Sequence, residues 1–127
     1  MENKIILDSN IFVAFYFEND SLHNDALKIM QEIVDFTIIL PYCVIQEVST
    51  ILTYRIWKHA ADTFLEDIKL ASNIILVDNN LTEEIDFFGK IKNKISFTDV
   101  SLIHLSLKFN ALLITFDKQL LSIANKF

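Results

Sequence analysis

Four short, mainly apolar runs punctuate the chain: Ile5–Leu7, Thr37–Leu40, Ile74–Val77 and Ala111–Thr115. Each is short and rich in aliphatic or β-branched residues, which predicts a strand. Between them, apolar residues recur at helical spacing. A helix capped by Ser21 is expected to run through Asp35, with Leu22, Ala26, Ile29, Met30 and Ile33 on one face. A second follows Pro41 and carries Val44, Val48, Ile51, Leu52 and Tyr54. Others are expected from about His59 to Ala71, Leu81 to about Lys92, Thr98 to Phe109 and Lys118 to Asn125. Asn110 stands where a left-handed residue would end a helix. Strands and helices thus alternate, and the strands are continuously apolar. That pattern predicts an α/β fold: three layers, α/β/α, around a short parallel sheet of four or five strands. Right-handed crossovers bring every strand C-terminus to one edge, where ligand sites form in such folds.

Composition narrows the classes. The 127 residues are expected to form one domain, residues 1–127, large enough to bury a real core. Apolar residues make up 52%, while Gly and Pro occur once each, which excludes a disordered or fibrous chain. No apolar run approaches the ~20 residues of a membrane span. Asp8 interrupts the only candidate signal-peptide core, so a soluble cytoplasmic protein is expected. The single cysteine, Cys43, rules out an internal disulfide and a cysteine-rich zinc site, and is read as a core thiol. A net charge of −6 argues against a generic nucleic-acid binder. It does not argue against an enzyme whose carboxylates hold cations, because bound ions reverse the local charge.

The placement of acids changes the picture more. Asp8 directly follows the first run, and Asp117 comes just after the fourth, in "LLITFD". Glu47 lies in the helix after the second run, and Asp99 opens the helix leading to the fourth. All four therefore map to the same sheet edge. Each has an ordinary reading by itself. Asp8 and Asp117 suit helix caps, Asp99 suits a helix dipole, and Glu47 could pair with Arg55 or a lysine. Together they carry a cost, since two like charges ~4 Å apart repel by roughly 4 kcal/mol at an effective dielectric of 20. An all-oxygen cluster neutralised by cations suits Mg²⁺ or Mn²⁺. His23, His59 and His104 show no ligand spacing and read as structural, with His104 the nearest to the site's periphery.

The stretches "ILDSNIFVAF", "VIQEVSTIL" and "FTDVSLIHLSLKFNALLITFD", in this order and spacing, resemble PIN-domain ribonucleases, and "LHNDALKIM" resembles the second helix of VapC-type toxins. The resemblance covers nearly the whole chain. It implies an endoribonuclease that hydrolyses single-stranded RNA with Mg²⁺ or Mn²⁺, often the toxin of a toxin–antitoxin pair. It implies Asp8, Glu47, Asp99 and Asp117 as the catalytic, metal-holding acids, supported by Ser9, Asn10 and Thr115. Many members carry Gly where this chain has Asn110, and a final strand after the last acid is common among them.

Beside that reading stand others. A dehalogenase-type phosphatase needs a second Asp where this chain has Asn10, and a receiver domain needs an acidic pair near its start. A non-catalytic module used for binding or dimerisation remains the alternative. Lys90 and Lys92, in "KIKNK", form the only basic cluster; they read as a helix end or as a weak RNA contact. The residues after Asp8, Ile11 to Phe17, are apolar almost all round. They predict either an internal packing layer or a patch for a homodimer or an antitoxin helix.

Overall fold

The computed structural model describes residues 3–127. Strand β1 (Lys4–Leu7) leads into helices α1 (Ser9–Tyr16) and α2 (His23–Glu32). Strand β2 (Thr37–Pro41) precedes α3 (Tyr42–Arg55) and α4 (Lys58–Leu70). Strand β3 (Ile74–Val77) is followed by α5 (Leu81–Lys90) and α6 (Phe97–Phe109), and β4 (Leu112–Ile114) by α7 (Lys118–Ala124). The four strands form one sheet in the order β3-β2-β1-β4, and every pair is parallel. Helices flank the sheet, so the expected α/β architecture stands, with four strands among the described residues.

The core explains the order. Ile5, Ile6 and Leu7 in central β1 are wholly buried, as continuous apolar strands require. The edge strands differ from the expectation of two covered faces. Ile75 and Leu76 of β3 and Leu112 of β4 are each at least half exposed. Helix α1 turns out to be an internal layer: it packs on α2 and α3, with Ile11, Phe12 and Ala14 buried. Phe64 of α4 meets Phe12 and Tyr16 edge-to-face, at ring separations of 5.4 and 5.7 Å. Much of the apolar circumference of α1 is thus covered within the fold, while Phe15 and Phe17 stay half-buried. No helix among the described residues is long and apolar enough to cross a membrane.

Several boundaries shift for local reasons. Helix α2 starts at His23 without a side-chain cap, because Asp20 rather than Ser21 takes up the preceding turn: its carboxylate accepts from Leu22 N at 2.8 Å. Leu22 consequently lies outside the buried face. The same helix ends at Glu32, where a turn from Ile33 to Phe36 feeds β2. Tyr54, placed by its spacing on the face of α3, is 84% exposed. Asn110 adopts φ 51°, ψ 49°, as expected, and closes α6 with paired bonds from Asn110 N to Leu107 O and Ala111 N to Ser106 O. Ala111 is used in that closure, so β4 begins one residue later than its apolar run.

Candidate active site at the sheet edge

Chain geometry delivers the acids to one place. Parallel strands end together, and the helices that follow them start there with N–H groups unpaired. Asp8 caps α1 by accepting from Ser9 N at 2.7 Å, and Asp117 caps α7 by accepting from Gln119 N at 3.0 Å and Leu120 N at 3.1 Å. Asp99 lies in the first turn of α6, and its N–H donates to the Ser96 hydroxyl at 3.1 Å. Asp8 and Asp117 are thus helix caps, and Asp99 lies in the first turn of its helix. Helix N-termini carry partial positive charge, which offsets part of the repulsion between the carboxylates gathered there.

Hydroxyl and amide side chains tie the cluster together. Asp8 is buried, and its second oxygen accepts from the Thr115 hydroxyl at 2.7 Å. Thr115 Oγ1 in turn accepts from Asn10 Nδ2 at 3.2 Å and Asp117 N at 3.0 Å. Asn10 Oδ1 accepts from Phe116 N at 3.3 Å, which fixes the turn after β4 against the start of α1. Ser9, also buried, donates its hydroxyl to Glu47. The partner of Glu47 is therefore Ser9, not Arg55 or a lysine. The structure brings Asp8, Ser9, Asn10, Glu47, Asp99, Thr115 and Asp117 together at the C-terminal edge of β1, β2 and β4.

The electrostatics report the same crowding. Burial, then the charges of Asp8, Asp117 and Glu47, push the Asp99 carboxyl above the usual carboxylate range, against the pull of Ser96. Burial also raises Asp8, with a further push from Glu47, although Thr115 and Ser9 pull the other way. The donor set is oxygen only, so it fits a hard divalent cation such as Mg²⁺ or Mn²⁺ by chemistry. As the side chains stand, no three His, Cys, Asp or Glu groups among the described residues are close enough together to cage an ion.

Other candidates fall elsewhere. His104 does not face the acids; its ring lies 3.1 Å from Glu83, which Lys108 also contacts at 3.0 Å. His23 meets Ala14 O at 2.7 Å and joins α2 to α1, and His59 is exposed. Lys90 and Lys92 are exposed, Lys90 in the last turn of α5. Cys43 is half-buried rather than in the core, and burial pushes its thiol upward, away from nucleophilic use.

One acid escaped the sequence analysis. Glu84 is wholly buried, and accepts from Ser101 Oγ at 2.6 Å and from Asn79 Nδ2 at 3.0 and 3.3 Å. Asn79 also accepts from Cys43 N at 3.1 Å, which binds the end of β3 to the start of α3. No sequence pattern marks Glu84: Leu81, Ile85 and Phe88 are the apolar residues of α5, yet they are exposed while Glu84 is buried. Helix α5 presents its apolar stripe to the outside.

This arrangement is that of a known class: the model of the PIN domain family matches residues 5–126, and the chain belongs to that family. Among solved structures, the fold is similar to that of VapC20 from Mycobacterium tuberculosis, described as a Sarcin-Ricin loop cleaving toxin. The two share 18% identity over 93% of each chain, with a TM-score of 0.79. A search of curated proteins finds no match.

Proposed function

We propose that this protein is a metal-dependent endoribonuclease that hydrolyses single-stranded RNA, and the toxin of a toxin–antitoxin pair acting in the cytoplasm. The observation that carries the reading is the gathering of Asp8, Glu47, Asp99 and Asp117 at one sheet edge, where burial first, and then the other three charges, raise the Asp99 carboxyl. Family membership and the likeness to a ribonucleolytic toxin support it. Asp8, Asp99 and Asp117 would hold the cation, with Glu47 beside them. Bound Mg²⁺ or Mn²⁺ supplies charge neutralisation and Lewis acidity to the phosphodiester. Thr115 fixes the Asp8 carboxylate and, through its contacts to Asn10 and Asp117 N, sets the spacing of the two aspartates. Ser9 aims Glu47, whose carboxylate orients the attacking water and takes its proton. The new P–O bond forms as the bond to the 3′-oxygen breaks, and that oxygen leaves as an alkoxide that takes a proton from solvent water. Products carry 5′-phosphate and 3′-hydroxyl ends.

Lys90 and Lys92 add weak, salt-sensitive contacts to the RNA backbone. The outward apolar stripe of α5 and the exposed Ile75 and Leu76 of neighbouring β3 support a homodimer built on that side, in place of α1. An antitoxin protein would cover the remaining apolar surface. The test is cleavage of a panel of RNAs with Mn²⁺ or EDTA, followed by sequencing of the product ends. Asp8→Asn and Asp99→Asn should each lose activity by orders of magnitude, because a displaced ligand misplaces the reacting groups. Cyclic phosphate ends, or full activity in EDTA, would remove the nuclease mechanism and leave a binding module.

A further inference from the structure

A cleft of about 530 Å³ opens beside the acidic cluster, between the starts of α3 and α6 and the end of β3. Its rim carries two exposed rings, Tyr42 at 53% and Phe97 at 37% exposure. Polar groups line it between them: Gln46, Asp78, Asn79 and Thr98. A second hollow of about 310 Å³ shares Cys43, Gln46 and Thr98 with the first, and reaches Glu47. The two hollows are therefore neighbours along the sheet edge, and the second reaches Glu47 of the candidate active site. Its back wall is held in place from behind. Buried Glu84 pins the Asn79 amide and the Ser101 hydroxyl, and Asn79 locks the loop after β3 to Cys43 N.

The chemistry of the walls selects an occupant. Among the described residues that line the cleft none is basic, while Asp78 and Glu84 are acidic. A phosphate is repelled there; a flat, neutral group that donates N–H bonds is favoured. Aromatic rings on a rim stack with bases of single strands. A carboxylate accepts from ring and exocyclic N–H groups of a base. Guanine offers two such donors side by side on its Watson–Crick edge, and uracil offers one between two acceptors that the acids repel. The size suits one nucleotide unit with its base inserted.

Resting on the nuclease reading, we infer that this cleft is a base-recognition subsite: it takes one unstacked base of the RNA next to the scissile phosphate, between Tyr42 and Phe97, and prefers guanine through Asp78. Asn79 and Glu84 are positioning residues for that wall. Cleavage sites mapped on a random-sequence RNA should then carry guanine at one fixed position beside the cut. Asp78→Asn should lower that enrichment on the order of tenfold. Tyr42→Ala should raise KM by a similar factor while kcat is retained. Both side chains are exposed, so neither change threatens folding. Binding is measured separately by fluorescence anisotropy, with labelled tetranucleotides and the Asp99→Asn variant. A guanine-containing strand should bind about tenfold tighter than tetrauridylate, and adding Asp78→Asn should erase the difference. Equal binding of the two strands overturns the subsite, as does cleavage whose base preference neither Asp78→Asn nor Tyr42→Ala alters; in the latter case the nuclease reading stands. Guanine-selective binding that Asp78→Asn abolishes, with no cleavage by the wild type, keeps the subsite and removes the nuclease reading.

Discussion

Asp99 and Glu84 both occupy the first half of a helix, α6 and α5, and the two helices pack together. Their surroundings are opposite. Glu84 is wholly buried, and neutral donors, Asn79 and Ser101, meet its oxygens. Asp99 is only partly buried, and its neighbours Asp8, Asp117 and Glu47 carry its own sign. Depth of burial therefore does not mark the acid with like-charged neighbours. A saturated carboxylate stabilises the structure around it. A carboxylate among like charges stores unfavourable energy that a cation relieves, and this kind of environment is what functional sites use.

The comparison fixes signs as well as sizes. Glu84→Ala should have the largest effect on stability, a loss of roughly 1–3 kcal/mol, because buried Ser101 and half-buried Asn79 lose their acceptor. Chemical denaturation of the variant measures it; an unchanged midpoint would break the structural half of the comparison. Ser101→Ala removes one donor and should cost about 1 kcal/mol by the same assay. Asp99→Asn should act in the other direction. Without metal it should raise stability, by less than ~1 kcal/mol because the group is only partly buried. A loss in EDTA would show that Asp99 is held by favourable contacts after all. Asp8 is a poorer probe, since Ser9 N and the Thr115 hydroxyl both depend on it.

The pH dependence sharpens the same point. The fold raises Asp99, so it binds the proton more tightly folded than unfolded. Its contribution to stability is complete below the ordinary carboxylate pKa and disappears as pH rises through the raised value. In EDTA, stability of the wild type should fall across that window more steeply than that of Asp99→Asn. Parallel profiles from urea midpoints at successive pH values would contradict the raised Asp99 carboxyl, which burial first and then the neighbouring acids produce.

Much of this was legible in the residues, for identifiable reasons. Continuous runs such as Ile5–Leu7 encode buried parallel strands, and the position of Asp8 and Asp117 just past such runs sets them at the sheet edge. Ser9, Asn10 and Thr115 followed from the family resemblance, and they are the hydrogen-bonding frame of the cluster. Glu84 was not legible, because its partners come from segments distant in sequence, Ser101 among them. Helix α5 also misleads by its pattern: Leu81, Ile85 and Phe88 form an apolar stripe that faces outward. The apolar girdle of α1 is a further case: α2, α3 and Phe64 cover much of it, and Phe15 and Phe17 stay half-buried. Periodicity tells that a face is apolar but not which neighbour covers it.

On the proposed reading, Asp8, Glu47, Asp99 and Asp117 form one cation site, and Glu84 belongs to the scaffold. Thermal melting during a Mn²⁺ titration of the wild type, Asp99→Asn and Glu84→Gln tests it most directly. A cation that binds only the folded state raises the melting temperature by mass action. The wild type and Glu84→Gln should gain equally from Mn²⁺, each from its own starting point, and Asp99→Asn should gain little. Equal gains in all three proteins, or a gain lost only in Glu84→Gln, would contradict the account.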